Sequence, residues 1–250
     1  MDINRKFKIM KNISAAFLLL LFLKPTFSMD SEPVNKLQLN KELIVLSAPV
    51  TGDPYYADVA DEIFDFHIQY ARQIIGRDNA LILVDDGAYD RYARELGKEF
   101  VKVAPMADIW LRDFGLSNAQ HPIMFRYSAE GQGRGKKGQR DADIVQEQLA
   151  MVADKANISF LETELLNDGG NFVDDYEGNV VISRKFLRDN ALTEEQARRL
   201  LRRLINIENV AFIDSDEQGG LEHADGVVAF VDTNTLIINS YNNDPQYAES

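Results

Sequence analysis

Glu42-Leu-Ile-Val-Leu-Ser47 is a short apolar run bounded by Pro49 and Gly52, which is typical of a buried strand. A second run of this kind follows at Ala80-Leu-Ile-Leu-Val84. Between the two runs, apolar side chains recur every three or four residues, which predicts one face of an amphipathic helix. These side chains are Val59, Ile63, Phe66, Tyr70 and Ile74. A strand, a helix and a second buried strand in this order predict an α/β fold.

The alternation of helix and strand continues along the chain. Thr193-Glu-Glu-Gln196 has the pattern of a capping box, which predicts the start of a helix. One face of that helix carries Ala197, Leu200, Leu201, Leu204 and Ile205. The other predicted elements are a helix at Tyr89–Leu96 and strands at Phe100–Val103, Val210–Ile213, Gly226–Val231 and Thr235–Ile238. Both halves of the chain therefore indicate the α/β class.

A glycine-rich basic segment, Gly131-Gln-Gly-Arg-Gly-Lys-Lys-Gly138, interrupts this pattern. It does not have the spacing of a phosphate-binding P-loop, and no serine or threonine follows the lysine. The segment is better interpreted as a surface loop that covers a site.

The N-terminus has the composition of a signal peptide. The basic residues Arg5, Lys6, Lys8 and Lys11 precede an apolar run from Ile13 to Leu23, and Ser28 lies where cleavage is expected. The run is shorter than the roughly 20 apolar residues that a comfortable membrane span needs. We therefore expect export to the periplasm or the medium, with residues 1–28 removed, although a retained anchor is the alternative. Residues 29–250 then hold the folded part.

The net charge of the chain indicates which classes of binding partner it can have. The chain carries a net charge of −13 at pH 7, so it repels nucleic acid and anionic membranes. We expect neither nucleic-acid binding nor stable membrane association once the signal peptide is removed. The acidity favours cationic ligands, or serves solubility alone. The chain has no cysteine, so disulfides do not stabilise it.

Trp110-Leu-Arg-Asp-Phe-Gly115 places an acid at the predicted end of a short apolar strand, just before a glycine turn. Ligands commonly bind at strand ends in α/β folds, so Asp113 is a candidate carboxylate for a cation. The alternative is that Asp113 caps the turn, with Arg112 as its ion-pair partner.

Two further segments carry acids. Asp168-Gly-Gly-Asn171 joins an acid to glycines that tolerate positive φ, or is a plain turn before a strand. In Leu221-Glu-His-Ala-Asp-Gly226, His223 and Asp225 point the same way if the segment is extended. A histidine beside a carboxylate acts as an acid near neutral pH. A solvated loop end is the alternative.

A metal-dependent hydrolase is the rival interpretation of these residues. His223, Asp225 and Asp168 are ligand types for a divalent ion, but no second histidine is placed to complete the set. We therefore favour binding of an organic cation over binding of a metal.

In this order, Trp-x-Arg-Asp-x-Gly, an acidic Gly-Gly and His-x-Asp resemble the agmatine deiminase and bacterial-type peptidylarginine deiminase family, of the guanidino-modifying pentein superfamily. The resemblance runs from about Glu42 to the C-terminus. It implies a pseudo-fivefold α/β propeller built from ββαβ units. It also implies hydrolysis of a guanidinium group, in agmatine, arginine or peptidyl-arginine, to a ureido group and ammonia, with no cofactor and no metal.

The resemblance also implies roles for the residues. Asp113 and Asp225 would hold the guanidinium from two sides, beside Trp110 and Arg112. His223 would protonate the departing ammonia and then activate water. Asp168 would be the third acid, at a position where the family usually has Glu.

The chain departs from the family pattern in three further places. Leu116 stands where Pro is common and Glu222 where agmatine deiminases commonly have Gly. The family attacks the guanidinium carbon with a cysteine thiolate near the C-terminus, and this chain has no cysteine. We expect a C-terminally truncated member that is inactive as it stands. A non-catalytic guanidinium-binding remnant is the alternative.

Overall fold

A computed structural model describes residues 41–214 and 220–240. The chain divides into two compact units, with Pro105 and Met106 at the boundary. Within the described ranges, no helix is both long and apolar enough to cross a membrane. The predicted signal peptide, residues 1–28, lies outside the described residues.

The first unit contains a parallel three-stranded sheet in the order β1-β2-β3, so the first half of the α/β prediction is confirmed. Its apolar core lies between the sheet and two helices. The elements are β1 (Leu43–Ser47), α1 (Ala60–Ile74), β2 (Asn79–Val84), α2 (Asp86–Leu96) and β3 (Val101–Val103), with 3₁₀ turns at Ala57–Val59 and Lys98–Phe100.

The buried face of α1 differs from the predicted one. The helix buries His67, Ile68, Ala71 and Ile74. Phe66 and Tyr70, which the periodicity placed in the core, are exposed and stack on each other with ring centroids 5.6 Å apart. His67 Nδ1 lies 3.0 Å from the Tyr92 hydroxyl, and burial lowers the His67 pKa to about 4. His67 is therefore a core residue of this unit.

In the second unit, the described residues form three small sheets. β4 and β5 are parallel, β6-β7-β8 form a mixed sheet, and β9 and β10 are antiparallel. Its strands are β4 (Ile123–Arg126), β5 (Leu161–Leu166), β6 (Val173–Asp174), β7 (Asn179–Ser183), β8 (Asn209–Ile213), β9 (Val228–Asp232) and β10 (Thr235–Ile238). Its helices are α3 (Leu111–Phe114), α4 (Gly135–Lys155), α5 (Lys185–Asn190) and α6 (Glu194–Ile205).

A similar order of elements occurs twice in the second unit. β6 and β7 pair antiparallel, α5 and α6 follow, and β8 returns parallel to β7. Likewise, Ser117 bridges antiparallel to Ile123 in β4, α4 follows, and β5 returns parallel to β4. The first place therefore has the order strand, strand, two helices, strand, and the second has a similar order with an isolated bridge in place of its first strand.

Helix α6 begins as the sequence predicts. The Thr193 hydroxyl accepts the Gln196 N–H at 3.2 Å, and the Gln196 side chain accepts the Thr193 N–H at 2.8 Å. Ala197, Leu200, Leu201 and Ile205 are buried, whereas Leu204 packs at the edge of the core. The capping-box prediction is confirmed, because both amides at the helix start are satisfied.

The glycine-rich segment is not a loop, so that prediction was wrong. Ala129–Gln132 is a 3₁₀ turn and α4 already begins at Gly135. Gly133 joins the two at φ 86°, a conformation that glycine adopts without steric cost. Lys136 and Lys137 consequently lie on the first turn of a long helix, and Arg134 immediately precedes it.

Candidate active site

The Trp110–Gly115 segment forms one wall of the candidate site. It folds as the one-turn helix α3, so Asp113 lies in a helical turn. The prediction that Asp113 lies at the end of a strand was therefore wrong. The Asp113 side chain is only 15% exposed, whereas Trp110 is 58% exposed. Arg112 pairs with Asp225 and not with Asp113, so the ion pair expected under the turn-capping alternative was wrong. The Asp113 carboxylate instead faces His223.

The segment around Asp168 holds that carboxylate in a fixed place. Asp168 Oδ1 accepts the Ser128 backbone N–H at 2.9 Å, and its Oδ2 accepts the Ser128 hydroxyl at 3.0 Å. Asn171 braces the turn, donating to Asn167 Oδ1 at 3.0 Å and accepting the Ser183 N–H at 2.7 Å. The segment does precede β6, as the plain-turn interpretation expects, but it also carries a buried polar network.

The paired glycines are needed for close packing. Neither Gly169 nor Gly170 has positive φ, so the conformational freedom expected from the sequence is not used. A Cβ on Gly170 would lie 2.5 Å from His223 Nδ1 and 2.9 Å from Asp113 Oδ1. A Cβ on Gly169 would overlap the carbonyl oxygen of Arg112. The missing side chains let α3 and His223 approach this backbone.

His223 lies between two carboxylates. Its Nε2 is 3.2 Å from Asp168 Oδ2, and its Nδ1 is 3.6 Å from Asp113 Oδ1. The residues after it form a 3₁₀ turn, Ala224–Gly226, so the extended conformation under which His223 and Asp225 would point the same way is not adopted. Ala224 is fully buried in an apolar cluster with Val173 and Val181. The turn is therefore anchored in the core, and the imidazole is presented from a fixed backbone.

Burial and the neighbouring charges shift the pKa values of His223 and Asp113. Burial disfavours the charged form of His223, but the hydrogen bond to Asp168 and the charges of Asp113, Asp168 and Asp225 outweigh it and raise the pKa. Burial raises the pKa of Asp113 to about 6, although His223 opposes the shift. An imidazole with a raised pKa therefore lies beside a carboxyl group whose pKa is raised to about 6.

Arg112 connects Asp225 with strand β6. Its Nε lies 3.6 Å from Asp225 Oδ2, and its Nη2 donates to the Phe172 carbonyl at 2.8 Å. On that strand, Asp174 has a buried Oδ2 with no hydrogen-bond partner. Burial raises the pKa of Asp174 to about 6, and the charge of Arg112 opposes the rise. Nothing in the sequence marks Asp174 as a site residue, because an acid in a two-residue strand has the pattern of an ordinary turn.

Glu222, which departs from the family pattern, adopts a backbone conformation that is typical of glycine. It has φ 53°, in the left-handed region that favours glycine, yet its side chain is buried. Its carboxylate pairs with Arg188 of α5. This contact fixes the backbone immediately before His223.

The metal interpretation gains no support from the geometry. Among the residues that the structure describes, no group of three or more His, Cys, Asp or Glu side chains is arranged to hold a metal ion. Asp168 and Asp113 contact the imidazole nitrogens themselves, and Asp225 contacts Arg112.

Comparison with known proteins identifies one family. A model of the Porphyromonas-type peptidyl-arginine deiminase family matches residues 39–250. No curated protein matches the sequence.

Solved structures also match this fold. C. jejuni agmatine deiminase has a TM-score of 0.63 at 17% identity, over 78% of this chain and 60% of that one. The Enterococcus faecalis enzyme has a TM-score of 0.62 at 19% identity, over 83% and 60%. A C. jejuni variant with substrate bound has a TM-score of 0.59 at 17% identity, over 78% and 61%. The match thus spans about 60% of the length of the solved structures.

Proposed function

The chain belongs to the Porphyromonas-type peptidyl-arginine deiminase family, and we propose that its candidate site binds a guanidinium group. One observation carries the proposal: a half-buried imidazole lies between two carboxylates, and a third carboxylate follows two residues later. Asp113 and Asp225 hold the cation and His223 moves protons.

The residue types suit this ligand. A guanidinium is planar, delocalised and rich in N–H donors, so carboxylates bind it in bidentate fashion. Asp113 is ionised at neutral pH because its pKa is about 6. Trp110, three residues earlier in the same segment, is exposed and offers an aromatic face. Agmatine, arginine and peptidyl-arginine all present this group, and the substrate-bound agmatine deiminase is a relative in fold.

Hydrolysis to a ureido group and ammonia needs one further component. His223 is placed to protonate departing ammonia, because its pKa is raised and Asp168 orients it. The nucleophile that the family uses is a cysteine thiolate, and these 250 residues contain none. We therefore propose that this chain binds the guanidinium without turnover, and that hydrolysis requires a thiolate from outside the sequence given.

We also propose that the protein is exported and that its complete fold is the α/β propeller implied by the family resemblance. The basic and apolar N-terminus supports an exported protein, which favours a periplasmic or extracellular guanidino compound. The strand, strand, two helices, strand order from β6 to β8, and the similar order from the Ser117 bridge to β5, support a propeller built from ββαβ units.

Calorimetric titration of the full chain with agmatine at pH 7.5 tests the function. We expect saturable binding, at least about tenfold tighter than that of 1,4-diaminobutane, which has two amines and no guanidinium. Asp113→Asn should weaken agmatine binding by at least about tenfold, whereas Asp141→Asn, which removes an equal charge from α4, should not. Equal affinity for the diamine, or no effect of Asp113→Asn, would overturn the proposal. Ammonia release by the purified chain would overturn the absence of turnover.

A further inference from the structure

Arg112 presents to Asp225 the same chemical group as the proposed ligand. Its guanidinium lies with Nε 3.6 Å from Asp225 Oδ2, which is an ion pair too long for a good hydrogen bond. A ligand guanidinium that binds Asp225 in bidentate fashion must therefore compete with Arg112 for that carboxylate.

A second carboxylate is available to Arg112. Its Nη2 already reaches β6 through the Phe172 carbonyl at 2.8 Å, two residues before Asp174. Asp174 Oδ2 is buried and accepts no hydrogen bond from any described residue. Such an atom costs free energy until a donor reaches it, and a charged donor lowers that cost most.

We propose that Asp174 is a positioning residue that takes up the Arg112 guanidinium when a ligand guanidinium displaces it from Asp225. This inference rests on the proposed function, because the displacing group is the ligand of that site. Arg112 exchanges one carboxylate for another and is never left unpaired. A ligand can consequently pair with Asp225 without the full free-energy cost of breaking the Arg112–Asp225 ion pair.

The exchange gives Asp174 an effect on ligand affinity without direct contact. In Asp174→Asn, Arg112 has no second carboxylate and stays on Asp225, so agmatine should bind about tenfold more weakly. In Arg112→Gln no cation competes, so agmatine should bind more tightly than it binds wild type. In the double variant, Asp174→Asn should then change the affinity less than about twofold, because the two positions act through one interaction.

Calorimetry on the four full-length proteins measures this cycle. A purely structural role of Asp174 would give the same fold-change in both backgrounds, and that result would overturn the proposal. An unchanged affinity in Asp174→Asn alone would also overturn it. Asp141→Asn serves as the charge-matched control.

A measurement without ligand separates this inference from the proposed function. Asp225→Asn withdraws the first carboxylate, so Arg112 should move to Asp174 and lower its pKa below the present value of about 6. Carbon-detected NMR of the Asp174 carboxyl follows the titration, and adding Arg112→Gln should abolish the drop. Arg112 and Asp175 are the charged groups that act on Asp174. Failure of agmatine to bind wild type, with this drop present, would refute only the function. No drop would refute the exchange.

Discussion

Asp174→Asn should stabilise the protein at neutral pH, and the gain should disappear in acid. Burial raises the pKa of Asp174 from 3.8 to about 6, so the folded state holds the carboxyl proton more tightly than the unfolded state. The favourable contribution of the protonated acid is complete below pH 3.8 and is lost as pH rises through 6. Asparagine has the same shape and no charge, so it avoids this loss.

The magnitude follows from the two pKa values. Linkage gives a cost of about 3 kcal/mol for the ionised aspartate at pH 7, about 1.6 kcal/mol at pH 5 and about 0.6 kcal/mol at pH 4. These are upper values, because the asparagine amide also needs a partner in a site where Oδ2 has none.

Urea unfolding from pH 4 to pH 8 measures the difference between the variant and wild type. The chain has a single tryptophan, Trp110, in the same unit as Asp174, so its fluorescence reports unfolding of that unit. Asp143→Asn is the control of opposite sign, because Arg126 and Gln139 lower the pKa of Asp143 despite its partial burial. A stability difference for Asp174→Asn that stays constant within about 0.5 kcal/mol across this range would refute the reasoning.

Further predictions concern the same unit. Agmatine affinity should fall about tenfold per pH unit below pH 6, because the ligand needs ionised Asp113, whose pKa is about 6; a flat calorimetric profile from pH 5 to 8 would contradict this. Gly170→Ala should lower the free energy of unfolding by about 1–3 kcal/mol, because its Cβ would lie 2.5 Å from His223 Nδ1; an unchanged urea midpoint argues against the close approach. Glu222→Gly and Glu222→Ala both lose the ion pair with Arg188, but only Ala keeps a Cβ at φ 53°. The Gly variant should therefore be more stable than the Ala variant by about 1 kcal/mol in urea unfolding, and equal midpoints would show that the backbone there is not strained.

The α/β class could be predicted because strand residues 80–84 are all apolar and mostly buried, and because α6 carries its own capping box. The buried face of α1 could not be predicted from the sequence. Phe66 and Tyr70 have the spacing and hydrophobicity of core residues, whereas the helix buries His67 and Ala71, which carry a weak hydrophobic signal.

The membership of the candidate site could be predicted more readily than its geometry. The structure brings Asp113, Asp168 and His223 together, although their roles remain predictions. The pairing of Arg112 with Asp225 and the isolation of Asp174 depend on the 3₁₀ turns and on close glycine packing. Such turns have no periodic pattern, so a sequence does not reveal which side chains they bring together.

His223 contacts Asp168, which is 55 residues earlier in the chain, and Asp113, which is 110 residues earlier. Each of these contacts closes a long loop, and the entropy of closure is lost before the contact returns any stabilisation. The helices and the neighbouring strand pairs can form from shorter segments, so we expect the acid–base cluster to consolidate late in folding. Mutations within the cluster should then accelerate unfolding and leave the folding rate nearly unchanged, because their contacts are absent from the transition state.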